Sequence, residues 1–326
     1  MISPVAPIRP PIPMPAVKAP LFAMFPGDDA PAARINAVLY GNSGVGKTAC
    51  VTALPWGTAR WGERAVYVAW DSGSETLLSV RPADRAHLTV VTPEAHSGPD
   101  GKLSLNPYKA AMAIATTDWR SLVPGTETLI WDGGTRLAEQ ILRAVANSGA
   151  TVSRKKKEDG TEDRLTFGER GEPDFMAQPI IPDYGMAQHA ILQWSEFLRQ
   201  QPLNVLVVCV SDYYKPEGGS LDGDTVGGPA TVGVKIIPKF MKDFDNIFRL
   251  SIEQDTIKIE EKDAAGKPLP PRFERSNKRI LWTEKHGIWD AKIRRPPSAV
   301  NPLARVELTP NMTEFWNEFD KSGLGA

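Results

Sequence analysis

The chain alternates short apolar runs with longer segments in which apolar residues recur every three or four positions. The short runs have the length and composition of buried strands, and they occupy residues 35–40, 65–70, 87–91, 127–132 and 204–211. The periodic segments have the spacing of helices that pack on a sheet, and they occupy residues 47–54, 107–119, 136–146 and 183–200. This alternation predicts an α/β fold with a mostly parallel sheet and helices on both faces.

The pattern changes after Ser211. A glycine-rich stretch leads to an apolar segment at 244–250, and strand-like segments follow at 256–259, 279–283 and 287–292. Their close spacing predicts an antiparallel C-terminal extension at the edge of the sheet. Thr309 as N-cap and Pro310 at the first helical position predict a final helix that runs through Phe319.

Proline and glycine divide the chain into a predicted arm, a core and a tail. Residues 1–33 hold prolines at a density that excludes a helix or a central strand, so we expect a flexible, extended arm. Its apolar side chains could instead dock on a neighbouring subunit. The core is expected at 34–300, with a polar insertion at about 150–178 and a glycine-rich loop at about 215–235, and residues 301–326 are expected to form a C-terminal helix and tail.

The octapeptide GNSGVGKT lies between the first predicted strand and the first predicted helix. Its glycines let the backbone curl until N–H groups point at a phosphate, Lys47 supplies a positive charge, and the Thr48 hydroxyl can ligate Mg²⁺. The strand–loop–helix context favours a nucleotide site over a chance glycine-rich turn. The predicted ATP-binding loop comprises Gly41, Asn42, Ser43, Gly44, Val45, Gly46, Lys47 and Thr48.

Composition and charge limit the kinds of partner that the protein could bind. A net charge of −1 and a pI near 6.5 exclude nucleic-acid binding by bulk charge, so such binding would need a local basic patch. The four histidines have no metal-ligand spacing, and no apolar stretch is long enough to span a membrane. Cys50 and Cys209 lie in apolar contexts typical of core residues. We therefore expect a cytoplasmic protein without a membrane role.

Acidic residues follow two of the predicted strands. Asp132 ends the apolar run 128–131 and is the candidate for holding Mg²⁺ in the Walker B position, although an Asp before two glycines also fits a turn. Asp71 ends the second strand and is the better-placed candidate for polarising the attacking water, with Glu75 as the second choice. Either carboxylate could instead serve as a cap or a loop residue.

Polar and basic residues elsewhere suggest further contacts. Ser211 or Asp212 could sense the terminal phosphate, or could simply end a strand. Lys292 and Arg294 form a Lys-x-Arg pair that could reach a neighbouring subunit's phosphate as an arginine finger does. The candidates for binding nucleic acid are the basic run 154–157 and the glycine-rich stretch 215–235, which begins directly after Tyr213 and Tyr214. The alternatives are a solvated charge run and a flexible loop.

The chain resembles the RecA-like ATPases of bacteriophages, in particular the single-strand annealing and recombination ATPases of the Sak group and the related phage nucleotide-binding proteins. The segments that carry the resemblance span about 35–295 in the order GNSGVGKT, VYVAWDSGSETL, LIWDGGT, DYG at 183–185, VLVVCVSD, FDNIFRL and AKIRR. The phosphate loop alone is specific for nucleotide binding. The other segments indicate the family only when they are taken together as a series. The sequence departs from the family at Asp71, where glutamate is usual, and at 295–296, where Arg-Pro replaces a glycine.

The resemblance implies a RecA-like core with ATP and Mg²⁺ as cofactors. It also implies assembly into a ring or filament and DNA contacts from loops after core strands. In those terms Lys47 and Thr48 act in the phosphate loop, Asp132 in the Walker B position, Asp71 as the catalytic carboxylate, and Lys292 with Arg294 in trans. The predicted function is a phage-type ATPase that binds single-stranded DNA and promotes annealing or strand exchange, alongside phage replication or recombination proteins. Two alternatives are a nucleotide-gated loader or scaffold in a phage replication or packaging complex and, with less support, a small-molecule phosphotransferase.

Overall fold

The computed structural model describes most of the unit Ala33–Ala326. The described residues are 34–70, 77–78, 80–93, 96–97, 103–104, 106–147, 151–152, 167–168, 179, 181–214, 226–259, 272–295, 300–308 and 312–322. The predicted arm at 1–33, the basic run 154–157, and Asp71 and Glu75 lie outside them.

One mixed sheet organises the unit. Within the described residues, eight strands lie side by side in the order β13-β12-β11-β1-β9-β6-β2-β3, and β10 pairs with β9 as a ninth. Their bounds are β1 Asn36–Gly41, β2 Arg64–Ala69, β3 Leu88–Val91, β6 Thr126–Asp132, β9 Asn204–Tyr214, β10 Val226–Pro229, β11 Asn246–Ile259, β12 Arg272–Trp282 and β13 Arg305–Leu308. Two further two-stranded pairs are formed by β4 His96–Ser97 with β5 Leu103–Ser104, and by β7 Thr151–Val152 with β8 Phe167–Gly168.

The pairing directions confirm the predicted α/β fold class, a mostly parallel sheet with helices and an antiparallel C-terminal extension. All neighbours from β11 to β3 along the sheet pair in parallel. Strands β12, β13 and β10 pair antiparallel with their neighbours. Strand β1 lies between β9 and β11, so the loop that follows it emerges near the middle of the sheet's carboxyl edge.

Helices cover both faces of the sheet. Their bounds are α1 Lys47–Thr52, α2 Pro82–Arg85, α3 Pro107–Thr116, α4 Trp119–Leu122, α5 Gly134–Asn147, α6 Ile181–Gln200, α7 Ile237–Lys242 and α8 Thr313–Lys321. Side chains of α3, α5, α6 and α7 belong to one buried cluster with Val38 and Tyr40 of β1, whereas those of α1 and α8 belong to a second cluster with Ala37 and Leu39 on the opposite face. Strand β1 is buried on both faces, which explains why its sequence is a continuous apolar run. None of the helices in the described ranges is long and apolar enough to cross a membrane.

The C-terminal helix α8 covers the helix that follows the phosphate loop. Trp316 donates its indole N–H to the carbonyl of Cys50 in α1 at 2.8 Å, and its ring lies 5.0 Å from that of Trp61. Phe248 of β11 contacts Phe315 and Phe319 of α8 with ring centroids 5.8 and 5.9 Å apart. These contacts make α8 a wall of the core.

Strands β11 and β12 extend beyond the rest of the sheet. Strand β1 pairs with β11 only as far as Leu250, while β11 pairs with β12 out to Ile259 and Arg272. A two-stranded ribbon therefore projects past the carboxyl edge, where the phosphate loop lies. The sequence predicted separate segments at 244–250 and 256–259; this was wrong, because the pairing with β12 continues across the polar residues between them.

Two other predicted elements differ from the structure, and the predicted start of a third lies outside the described residues. The helix expected at 107–119 breaks at Thr117, because Asp118 caps a second helix through the backbone N–H of Ser121. The described part of the final helix begins at Thr313, whose hydroxyl contacts the Arg81 guanidinium at 3.1 Å, whereas Thr309 and Pro310, the predicted cap and first helical residue, lie outside the described residues. Residues 287–292 form a turn with isolated bridges, since Gly287 adopts a φ of 58°.

Candidate nucleotide-binding site

The predicted phosphate loop connects β1 to α1 at the carboxyl edge of the sheet. Gly44 and Gly46 adopt φ angles of 77° and 97°, which side chains with a Cβ rarely adopt, and these two positions curl the loop. The Lys47 ammonium donates to the carbonyls of Gly41 at 2.9 Å and Asn42 at 2.7 Å. Lys47 therefore closes the loop upon itself and holds a positive charge where phosphate oxygens would bind.

Two hydroxyl groups converge on one carboxylate beside this loop. Thr48 Oγ1 donates to Asp132 Oδ2 at 2.6 Å, and Tyr67 Oη donates to the same oxygen at 2.5 Å. A carboxylate oxygen has the lone pairs to accept both hydrogen bonds. Thr48 and Asp132 were both proposed from the sequence and lie in contact, whereas Tyr67 was not singled out.

These oxygen ligands fit a magnesium ion. Mg²⁺ takes hard oxygen ligands and retains several waters, and the Thr48 hydroxyl and Asp132 carboxylate provide such a pair in one cleft. Thr48 would ligate the ion, and Asp132 would hold it through water. When bound, Mg²⁺ neutralises charge on the β- and γ-phosphates. Lys47 adds a second positive charge on the same side.

A cleft of about 740 Å³ opens over these residues. Its walls combine the loop and α1 with the start of α5 and the end of β9: Ser43, Gly44, Gly46, Lys47, Thr48, Ala49, Asp132, Gly133, Thr135, Arg136, Glu139, Val208, Cys209 and Val210. Burial raises the pKa of Cys209 to about 12, so this thiol stays protonated at neutral pH and is no nucleophile.

The start of α5 brings residues to the cleft that sequence reasoning missed. Arg136 pairs with Glu139 at 3.1 Å, and the Thr135 hydroxyl accepts from the Val210 N–H at 2.9 Å. Gly134 permits this approach, since a Cβ there would lie 2.9 Å from Cys209 Sγ. The usable signal was the position of these residues in the first turns of the helix that follows Asp132.

Strand β9 and strand β12 each contact the phosphate loop. Ser211 Oγ donates to Asn42 Oδ1 at 2.5 Å, whereas Asp212 accepts from the backbone N–H of Tyr213 at 2.7 Å. Of the two sensor candidates, Ser211 is thus the one in contact with the loop. Arg279 of β12 donates its Nε–H to the Val45 carbonyl at 3.2 Å. No sequence pattern pointed to Arg279.

Lys292 and Arg294 lie at the other end of the sheet. Lys292 pairs through its backbone with Ile247, and the backbone N–H of Arg294 donates to Asn246 Oδ1 at 2.9 Å. Asn246 pairs with Ala37 at the beginning of β1, whereas the phosphate loop follows the end of that strand. Within one chain the structure therefore does not bring this pair to the loop. Burial lowers the pKa of Lys292.

The structure describes only some of the remaining residues that the sequence suggested for the site. Asp71 and Glu75 lie just beyond the described end of β2, and the basic run 154–157 is also outside the described residues. In the stretch expected as a glycine-rich loop at 215–235, residues 226–229 instead form β10, because they pair with residues 211–214 of β9.

Loss of the Tyr67 hydroxyl tests its role as a positioning residue for Asp132. We expect Tyr67→Phe to raise the Mg²⁺ concentration for half-maximal ATP hydrolysis about 10-fold, because side chains that orient metal-binding groups have effects of this order. ATP binding measured without Mg²⁺ should change little. The control is Tyr108→Phe, whose hydroxyl donates to Gln193 away from the cleft. An unchanged Mg²⁺ dependence in Tyr67→Phe would contradict this role.

Comparisons with known proteins agree with this geometry. The AAA-domain family model matches residues 33–295. No curated protein sequence matches the chain.

Three solved structures resemble the chain. A KaiC-like protein from Pyrococcus horikoshii OT3 is 11% identical with a TM-score of 0.36, covering 85% of this chain and 90% of that one. FlaH, a flagellar accessory protein from Methanocaldococcus jannaschii, is 8% identical with a TM-score of 0.34, covering 85% and 91%. An ATPase from the type III secretion system of pathogenic bacteria is 15% identical with a TM-score of 0.33, covering 66% and 51%. These low TM-scores carry no functional argument.

The family match covers most of the chain and includes every described residue of the cleft. The loop, its lysine and the Thr48–Asp132 contact have the chemistry that binding of a nucleoside triphosphate with Mg²⁺ requires. The chain therefore belongs to the AAA-domain family and is a P-loop ATPase.

Proposed function

We propose that this ATPase binds single-stranded DNA and promotes annealing or strand exchange in phage recombination or replication. The observation that carries the proposal is the path of β9. This strand supplies Ser211, which contacts Asn42 of the phosphate loop, and two residues later it supplies Tyr213, which is 50% exposed. An aromatic side chain of this kind can stack on a base, and stacking is a sequence-independent contact to single strands.

The same path provides coupling between ATP and DNA. A terminal phosphate bound beside Asn42 would bear on the Ser211 hydroxyl and hence on the end of β9. A shift there moves the backbone that carries Tyr213. If ATP changes DNA affinity in this way, DNA must change ATP affinity by the same factor.

The proposal includes self-association into a ring or filament. Lys292 and Arg294 lie at the opposite edge of the sheet from the phosphate loop, so they could act only on a neighbouring subunit's nucleotide. Arg294 lies 3.8 Å from Asp245, and both side chains are more than 40% exposed, so the contact is weak and can exchange for another. Asp71 remains the proposed carboxylate for the attacking water.

ATP hydrolysis measured with and without single-stranded DNA tests the function. We expect DNA to increase the turnover rate of the wild type several-fold, because it stabilises the loop arrangement that β9 holds. A variant of the loop, Thr48→Ala, should hydrolyse little ATP with or without DNA. Equal turnover with and without DNA would contradict the proposal and favour a nucleotide-gated loader or scaffold.

A further inference from the structure

A groove runs from the phosphate loop along β11. It consists of two adjoining depressions of about 370 and 380 Å³, which share Arg249, Ser251 and Ile252. The first begins at Asn42 and Ser211, and the second ends at Trp289 and His286 on the turn after β12. The groove shares Ser43 with the nucleotide cleft but none of Lys47, Thr48 or Asp132.

Arg249 lies where the two depressions meet. Its guanidinium carbon is 4.2 Å from the centroid of the Trp289 ring. Within the described residues its guanidinium forms no hydrogen bond and no ion pair, although burial by its surroundings lowers its pKa. Arginine has five N–H donors and remains charged in proteins. A partly buried guanidinium held by a ring has its donors available for an anion.

A second arginine on a tryptophan provides a contrast. Arg305 lies over the Trp282 ring at 5.4 Å, but its guanidinium also pairs with Glu253 at 2.7 Å. Glu253 is the acidic side chain on the wall of the groove. Its pairing with Arg305 offsets part of the negative charge that Glu253 places near Arg249.

Trp289 is fixed as a support for Arg249. Its ring lies directly on the backbone of Gly227, where a Cβ would come within 2.0 Å of the ring. The Tyr40 hydroxyl donates to the carbonyl of Asp290, which holds the turn in place. Tyr213 lies beside Trp289 with ring centroids 4.9 Å apart at 45°. The Arg249 guanidinium and the exposed Tyr213 ring therefore lie against the same tryptophan, which lines the far end of the groove.

We propose that Arg249 and Tyr213 bind one nucleotide unit of a single-stranded nucleic acid, the phosphate at the guanidinium and the base on the Tyr213 ring. This inference rests on the proposed function. A charged guanidinium with available donors suits a phosphodiester, and an exposed ring suits a base of any sequence. The strand would then enter the groove beside Asn42, so DNA and nucleotide would contact opposite sides of one loop.

Binding of a fluorescein-labelled oligo-dT by the full chain, measured by anisotropy over a range of salt concentrations, tests the site. Arg249→Ala should weaken binding about 10-fold and lower the slope of log affinity against log salt by about 0.7, the share of one phosphate contact. Tyr213→Ala should weaken binding about 10-fold with the salt slope unchanged, since stacking involves no phosphate. Arg249→Lys should retain the slope and lose part of the affinity.

The matched control is Arg305→Ala, which removes an arginine that also lies on a tryptophan but whose donors are engaged. It should bind oligo-dT as the wild type does. A fluorescent ATP analogue should bind equally to all variants, and thermal unfolding should show that they fold.

Each possible result separates the two proposals. If the wild type binds oligo-dT and Arg249→Ala binds it with the same affinity and the same salt slope, this inference is overturned but the proposed function is not. Equal loss of ATP-analogue and oligo-dT binding in Arg249→Ala would overturn it too, because Arg249 would then contact the phosphate of the bound nucleotide. No oligo-dT binding by the wild type would overturn the proposed function itself.

Discussion

Replacing Lys47 by alanine is expected to weaken ATP binding about 100-fold or more, as loss of a preorganised charge at a phosphoryl site does. The change removes the positive charge and also the two hydrogen bonds that close the loop on the carbonyls of Gly41 and Asn42. The loop should therefore lose both its attraction for phosphate and its shape. Titration with a fluorescent ATP analogue, with and without Mg²⁺, measures the effect.

Lys239→Ala serves as the control for this experiment, because Lys239 is an exposed lysine on α7, away from the cleft. It should bind the analogue as tightly as the wild type. Lys47 is itself only partly buried, so Lys47→Ala should keep the melting temperature of the apo protein. Wild-type affinity in a folded Lys47→Ala protein would mean that the nucleotide binds elsewhere.

Gly41→Ala is expected to destabilise the fold by about 3 kcal/mol, the upper end of the usual cost of overpacking a core. A Cβ at this position would lie 2.2 Å from the Leu250 carbonyl oxygen and 3.2 Å from Val45 Cγ2. Because the first obstacle is backbone of a paired strand, it cannot rotate away, and β11 must separate from β1. The melting temperature should fall by roughly 5–10 °C.

Gly185→Ala is the matched substitution for that measurement. Gly185 lies within helix α6, and a Cβ there would meet no atom within 4 Å. Alanine favours a helix interior over glycine by about 1 kcal/mol, so this variant should melt at or above the wild-type temperature. If Gly41→Ala had the same melting temperature as Gly185→Ala, this would contradict the close approach of β11 to the loop.

The parts of the site that the sequence predicted depend on residues close together in the chain. The eight residues of the loop GNSGVGKT are enough to predict a phosphate-binding site. Asp132 could be predicted because it ends an apolar strand. The alternation of apolar runs and periodic segments likewise predicted the parallel sheet, because each strand and each helix carries its own periodicity.

The parts that the sequence did not predict arise from contacts across the fold. Tyr67 meets Asp132 across 65 positions, and Arg279 meets Val45 across 234. Each reads in the sequence as an ordinary strand residue. The order of strands has the same origin, since the placement of β11 beside β1 follows from tertiary packing and no local pattern encodes it. Arg249 was missed because its tryptophan lies on a distant turn.

The packing of α8 over α1 links the substitutions that are tolerated in two segments far apart in the chain. The Trp316 indole requires the Cys50 carbonyl at its present place, and Phe315 and Phe319 fill the space against Phe248 beneath it. The family match ends at residue 295, before this helix begins. Substitutions in α1 that preserve nucleotide binding must therefore also preserve the fit of α8. Among relatives, the two helices should covary, and the tail should diverge in step with the helix that follows the phosphate loop.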